Sequence, residues 1–405
     1  MRKIFKILIS AVTLSMFALV SCSDDNGGDS TETYNPVSLD SRQCAIAQTA
    51  NDFSDRFFAA YDVKNGGGNY IISSLSVQYA LAMTANGAEG EALDQLLNTM
   101  GYDKSELDAL NEYCRVLMAD LPNVSNRSRI SIYNNMWYNS KAMSGVFPQF
   151  SNSLKSYFDA ECVPSNTDNV IGKVNGWITE KSKGRITDCL NEIDPEYHSV
   201  IVNVLNFEGY WPRKLKIENG KFHNADGRTV DVEFLNAKED ITTYVAEMGY
   251  IFDVPYSKGA YQLRIILPLK DVALDNFIAD LSAQFKNAER VKHHSCSIKF
   301  PKFKCRTRGE LKDVLNEIGV VAIFDEDEPG ITKMSEIPAY ISNILQVGTI
   351  EVDENGTVIT VVSSEYPIMG ATPSAINETA DRPFAFEVFE TSTGIKLFQG
   401  RIDNL

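Results

Sequence analysis

The chain has 405 residues, 44% of them hydrophobic, and a formal net charge of -16. That size suits one large domain or two ordinary ones, and the apolar content is that of a globular protein with a sizeable core. So acidic a surface repels nucleic acid and offers no polybasic patch to anionic lipid.

Residues 1–21 carry Arg2, Lys3 and Lys6 and no acid, so losing them leaves the chain at -19. Residues 7–20 are an apolar run of 14, too short for a comfortable membrane span, and read as an export signal. The run ends in Leu19-Val20-Ser21-Cys22, which resembles the bacterial lipobox. Cleavage before Cys22 and acylation of that residue are therefore expected, with an ordinary secretory signal as the alternative. Ser23-Asp24-Asp25 resembles the surface-export signal of Bacteroidota lipoproteins, which implies outer-membrane anchoring at the cell surface. Several acyl chains anchor stably where one is marginal. Residues 22–40 hold five acids and no base among Gly, Ser, Thr and Asn, and read as a flexible tether before a domain at 41–405.

Residues 41–63 show apolar positions at helical spacing and no breaker, and Ala45, Ala47, Phe53, Phe57 and Phe58 suit an amphipathic helix. Asn69-Tyr70-Ile71-Ile72-Ser73-Ser74-Leu75-Ser76 passes from a short strand into a helix near Val77, which a serine caps. A Gly87-Ala88-Glu89-Gly90 link leads to a second helix at 91–100. Residues 130–138 suit a strand. The segment around Asn175-Gly176-Trp177 suits a helix stopped by Gly184. Residues 199–207 are short and strongly apolar, as in a buried central strand, and run into Asn206-Phe207-Glu208-Gly209-Tyr210-Trp211. Strands are expected at 230–234, 242–246, 250–254, 261–267, 296–303 and 394–401. Helices crowd the first half and strands the second, without regular alternation, so the fold class is α+β.

The most informative stretch is 350–384. Residues 350–352 end a strand, residues 353–356 make a hinge, and residues 357–362 are β-branched and suit a strand again. The chain then turns polar and irregular until Arg382-Pro383-Phe384. Loops of that length in a compact domain are usually functional or disordered.

With Glu354, Gly356 and Thr357 at the hinge, the Arg382-Pro383-Phe384 return and the aromatic-Gly-Trp segment, the chain resembles the serpins. The resemblance implies the serpin fold, with large mixed sheets and an exposed reactive-centre loop. It implies a suicide-substrate inhibitor of serine proteases, not an enzyme, without cofactor or metal and monomeric. The hinge is then Glu354, Gly356, Thr357, Val358 and Ile359. The family spacing from Glu354 puts the reactive bond at Gly370–Ala371, flanked by Met369 and Thr372. No Arg or Lys lies between Gly348 and Asp381, so an elastase-like or subtilisin-like target is expected. Trp211, Ser73, Ser76, Asn203 and Gln346 take the sheet-opening positions, with Gln346 where the family usually has His. Inhibitors of the family carry small residues where this chain has Val358-Ile359-Thr360-Val361, which leaves open a non-inhibitory binding protein whose loop is simply cut.

Other chemistry finds little support. G-x-S-x-G and H-E-x-x-H are absent. Glu351-Val352-Asp353-Glu354-Asn355-Gly356 begins like a calcium loop, but its twelfth position is Val362, which cannot coordinate. Besides Cys22 there are Cys44, Cys114, Cys162, Cys189, Cys296 and Cys305, with no C-x-x-C. Disulfides are permitted, and unpaired or buried thiols are the plainer reading.

Overall fold

The structure is a computed structural model and describes residues 32–238, 240–291, 296–341, 344–358 and 375–405. Its helices are α1 (Ser41–Asn65), α2 (Ser74–Ala85), α3 (Gly90–Met100), α4 (Leu107–Asp120), α5 (Pro148–Phe158), α6 (Val170–Lys181), α7 (Leu274–Ala279), α8 (Leu281–Asn287) and α9 (Lys312–Glu317). Its strands run β1 (Tyr70–Ile72), β2 (Arg129–Asn139), β3 (Cys162–Ser165), β4 (Ser199–Tyr210), β5 (Lys216–His223), β6 (Thr229–Ala237), β7 (Thr242–Val245), β8 (Gly249–Tyr256) and β9 (Tyr261–Pro268). They continue with β10 (Glu289–Val291), β11 (Ser297–Pro301), β12 (Phe303–Glu310), β13 (Leu345–Val352), β14 (Gly356–Val358), β15 (Asn377–Thr379), β16 (Phe384–Glu390) and β17 (Lys396–Ile402).

Local chemistry explains the first elements. Asp40 accepts from the backbone N–H groups of Arg42 and Gln43, and the Gln43 side chain answers, a reciprocal cap that starts α1. Ile46, Ala50, Phe53, Phe57 and Tyr61 recur at helical spacing and are buried. Ser73 caps α2 through Ser76 N–H, so this helix begins three residues before the expected Val77. Nearly every side chain of α2 is buried, which makes it the helix at the centre of the core.

Three sheets form. The first has order β1-β17-β16-β9-β8-β7-β10, the second β15-β11-β6-β5 and the third β12-β13-β14-β4-β2-β3. Antiparallel pairs dominate, while β2–β3 and β11–β15 are parallel, so the second and third sheets are mixed. The six longest helices all precede Ser182, which gives the helix-rich first half.

Two expectations need correction. Residues 296–303 are two strands, not one. The chain breaks at Lys302, whose N–H bonds Glu233 O at 2.8 Å, and passes from the second sheet to the third. The tether is also shorter than expected. Residues 32–40 lie against the body: Tyr34 bridges Ser125, Asn35 N–H bonds Val124 O at 2.8 Å, and Val37 is buried in the core. Their backbone finds partners and one apolar side chain finds the core, which composition averaged over residues 22–40 conceals. Among the described residues no disulfide forms; all six cysteines are unpaired.

Candidate functional site

β13 turns back through residues 353–356 and returns as β14, so the expected hinge is a tight hairpin. Asp353 N–H bonds Gly356 O at 3.0 Å. The Asp353 carboxylate accepts from the N–H groups of Asn355 and Gly356 at 2.8 and 3.1 Å, an Asx-type closure of the turn. Here β14 pairs on both sides: Thr357 stands opposite Val352 of β13 and opposite Gly209 of β4. The glycine at 356 serves close approach rather than conformational freedom. A Cβ there would lie 2.1 Å from Gly209 O and 2.9 Å from Tyr210 Cα, and its φ is not in the left-handed region.

Trp211 grips this turn. Its indole N–H donates to Asp353 O at 2.8 Å and its backbone N–H to Asn355 O at 3.1 Å, while Leu215 N–H holds Glu354 O at 2.9 Å. The ring is buried and stacks on Tyr256, with centroids 4.5 Å apart and planes at 11°. Thr357 is 1% exposed and points to the same aromatic layer, whereas Val358 is half-buried. Burial drives the Tyr256 phenol far up; the nearby Thr357 hydroxyl opposes this, though the two oxygens stand outside hydrogen-bond geometry.

Glu354 binds Lys302 at 2.8 Å and Lys214 at 3.2 Å. The Lys302 hydrogen bond, then its own backbone and Lys214, hold its carboxyl down to about 2. Lys302 also meets Glu233 at 2.8 Å, so the residue that breaks β11 from β12 fastens the hinge.

Among the described residues the sheet is parted beyond Val358. Among the described residues β13 and β4 are joined only through β14. A pocket lined by Asn206, Phe207, Val347, Gly348 and Val358 shares Leu205, Val347 and Phe398 with a larger cavity of about 580 Å³. The larger cavity is walled by β4 and β13 and reaches Ser73, Ser76, Asn203 and Gln346, so the slot runs from the hinge to the expected sheet-opening cluster. Along β4 the residues 199–203 are half-exposed, although their sequence suggested a fully buried strand, because the slot leaves one edge open.

The cluster itself is bonded. Ser76 Oγ donates to Asn203 Oδ1 at 2.5 Å, and Asn203 Nδ2 donates to Asn134 Oδ1 at 2.6 Å. Gln346 does not reach these side chains. Its amide makes two bonds to the Ser73 backbone, accepting from N–H at 3.0 Å and donating to the carbonyl at 2.9 Å. It takes the place of a peptide neighbour and has no proton to lose near neutral pH.

Of the residues expected from the sequence, Trp211, Glu354, Gly356, Thr357 and Val358 meet at the hinge, and Ser73, Ser76, Asn203 and Gln346 lie at the far end of the slot. Ile359, Met369, Gly370, Ala371, Thr372 and Cys22 lie outside the described residues. Lys214, Lys302, Tyr256 and Asn134 were not foreseen. Their partners are distant in sequence, and only the charge complement of Glu354 could have suggested a lysine. Among the described residues no cluster of His, Cys, Asp and Glu could hold a metal. Burial raises the Cys162 and Cys189 thiols to about 11, far from a nucleophilic thiolate at neutral pH.

The serpin family model, described as serine protease inhibitor, matches residues 48–405. Iripin-3 of Ixodes ricinus is 25% identical over 422 aligned positions, covering 97% of this chain and 98% of that protein. The thermophilic serpin tengpin in its native state is 28% identical, with a TM-score of 0.76 over 92% of this chain and 97% of that one. Thyroxine-binding globulin in complex with thyroxine shares the fold, with a TM-score of 0.74 at 17% identity, covering 89% and 99% of the two chains. Three sheets in this arrangement and a family match over residues 48–405 establish that the chain belongs to the serpin family.

Proposed function

We propose that the protein is a suicide-substrate inhibitor of a serine protease, acting by cleavage and insertion of its loop. The family consists mostly of serine protease inhibitors rather than enzymes, and some members are non-inhibitory. The observation that supports inhibition here is β14, already paired between β13 and β4 above an open slot. Its register sets the course of the rest. Continued in step from Val358 opposite Glu351 and Glu208, the strand brings Ser363 between Gln346 and Asn203. Ile359, Val361 and Ser363 then share the face of Thr357. Burying Ile359 and Val361 contributes about 1.5–3 kcal/mol each to the inserted state. A polar side chain thus arrives level with the polar residues Gln346 and Asn203.

The reactive bond is Gly370–Ala371, and the target is an elastase-like or subtilisin-like enzyme. The chain is exported, acylated at Cys22, anchored in the outer membrane and monomeric. Incubating the full chain with a panel of such proteases tests the reading. A gel-stable covalent complex, with the first cut between residues 368 and 372, is expected. Cleavage at every protease ratio tried, without complex, refutes inhibition. The bulky Val358-Ile359-Thr360-Val361 run favours that second reading, a serpin-fold binding protein whose loop is only a substrate.

A further inference from the structure

The described part of the N-terminal segment reaches the turn between β8 and β9. Thr33 N–H bonds the Asn126 side chain at 3.1 Å, and Val37 N–H bonds Ser392 Oγ at 3.0 Å. At its outer end Glu32 clasps Lys258: its carboxylate accepts from Lys258 N–H at 3.0 Å, and its carbonyl accepts from Lys258 Nζ at 2.9 Å. Lys258 belongs to the turn between β8 and β9. The preceding residue, Ser257, sits at φ +47°, a conformation that side-chain-bearing residues hold only where surrounding contacts impose it.

That strained serine holds the end of β4. Its N–H and its hydroxyl both donate to Tyr210 O, at 2.8 and 3.0 Å. Tyr210 stands opposite Gly356. Tyr256, one residue back, is the ring on which Trp211 stacks, and it covers Gly209: a Cβ on Gly209 would lie 2.8 Å from it. A second route leads to the same turn, since Thr391, beside Ser392, bonds Ala260 O through its N–H and Gly259 O through its hydroxyl. The approach of Gly356 to Gly209 leaves no clearance, so a displacement of β4 at Tyr210 passes to β14 undamped.

We propose that Ser257 and Tyr256 are positioning residues for the hinge strand, braced by the N-terminal strap through Glu32 and Val37. The strap then sets how firmly β14 is held in the sheet. Its consequence for trapping rests on the inhibitory reading above; the coupling itself does not. In an anchored molecule, cutting or displacing the chain near Glu32 would loosen the hinge.

Hydrogen exchange on the full chain, without protease, tests the coupling. In Glu32→Ala, exchange of the 356–358 amides should rise about fivefold, the factor for one net hydrogen bond lost. Glu32→Gln keeps an acceptor for Lys258 N–H and should restore the wild-type rate. Val37→Asp should release the strap and accelerate exchange in both 33–37 and 356–358, while β16 and β17 stay protected. Ser257→Ala should accelerate 356–358 and leave 33–37 unchanged. Hinge exchange at the wild-type rate in Glu32→Ala and Val37→Asp overturns the proposal, and if Val37→Asp does not fold, Glu32→Ala against Glu32→Gln decides alone. Protease trapping by wild type is scored separately, so its failure sinks the inhibitory reading and leaves the coupling standing.

Discussion

Gly356→Ala places a methyl group where the sheet has no room. The new Cβ would lie 2.1 Å from Gly209 O and 2.9 Å from Tyr210 Cα, and both are backbone atoms that cannot rotate away. β4 cannot yield, since it is paired with β2 over ten residues and fixed at Tyr210 by Ser257. So β14 must retreat by about 1 Å, enough to break hydrogen bonds of ordinary length. Overpacking of this kind costs about 1–3 kcal/mol, and one lost backbone bond about 1 kcal/mol more. The sum, about 2–4 kcal/mol, shifts hinge pairing about 30- to 1000-fold toward release. Hydrogen exchange at 356–358 reads the release directly. Gly370 lies fourteen residues along the chain, so cleavage by an elastase-like enzyme should keep its rate while the trapped fraction falls. Gly145→Ala, where a Cβ meets nothing within 4 Å, is the matched control. Wild-type protection at 356–358 together with an undiminished trapped fraction would refute the steric reasoning.

Thr357→Arg brings a charge to a position 1% exposed beside Tyr256. Burying it unpaired costs several kcal/mol, so cleavage should proceed with no stable complex and little rise in melting temperature afterwards; a normal yield of complex contradicts this. Glu354 gives a pH signature. Its folded pKa is depressed from 4.5 to about 2 by Lys302 and Lys214, so the stabilisation is complete above pH 4.5 and is lost as pH falls toward 2. Melting curves of wild type and Glu354→Gln should differ at pH 6 and converge by pH 2, with the gap narrowing in high salt; a gap that persists at pH 2 rules the ion pairs out as its cause. Cys22→Ala should move the protein from the membrane fraction to the soluble fraction, and an unchanged distribution excludes acylation there as the anchor.

What could be read from the sequence was local. The hinge announced itself through Asp353, Gly356 and Thr357, and the end of β4 through Gly209 and Trp211, because turns and small-residue approaches leave marks on adjacent residues. The turn of β13 into β14 as a hairpin follows from the same marks. Long-range partners left none. Tyr256 and Trp211 are 45 residues apart, and Lys302 and Glu354 are 52 apart, so nothing nearby in the chain pairs them. The break at Lys302 was hidden because 296–303 alternates smoothly through a change of sheet. α4 carries ordinary signals: the reciprocal cap of Asp103 and Glu106 just before it, and Leu110, Cys114 and Leu117 at helical spacing, all buried. The docking of residues 32–40 was obscured by averaging them with ten more polar residues upstream.

The facing glycines of β4 and the hinge carry an asymmetry that lineages should record. A side chain at 209 would strike the rings of Phe207 and Tyr256, so a mutation there damages the folded body itself. A side chain at 356 first strikes the β4 backbone across the hinge, and the chain can answer by leaving the sheet. If the chain traps proteases as proposed, drift away from trapping has a permitted first step at 356 and a forbidden one at 209. Descendants that keep the fold but abandon inhibition should have lost the glycine at 356 while retaining the one at 209.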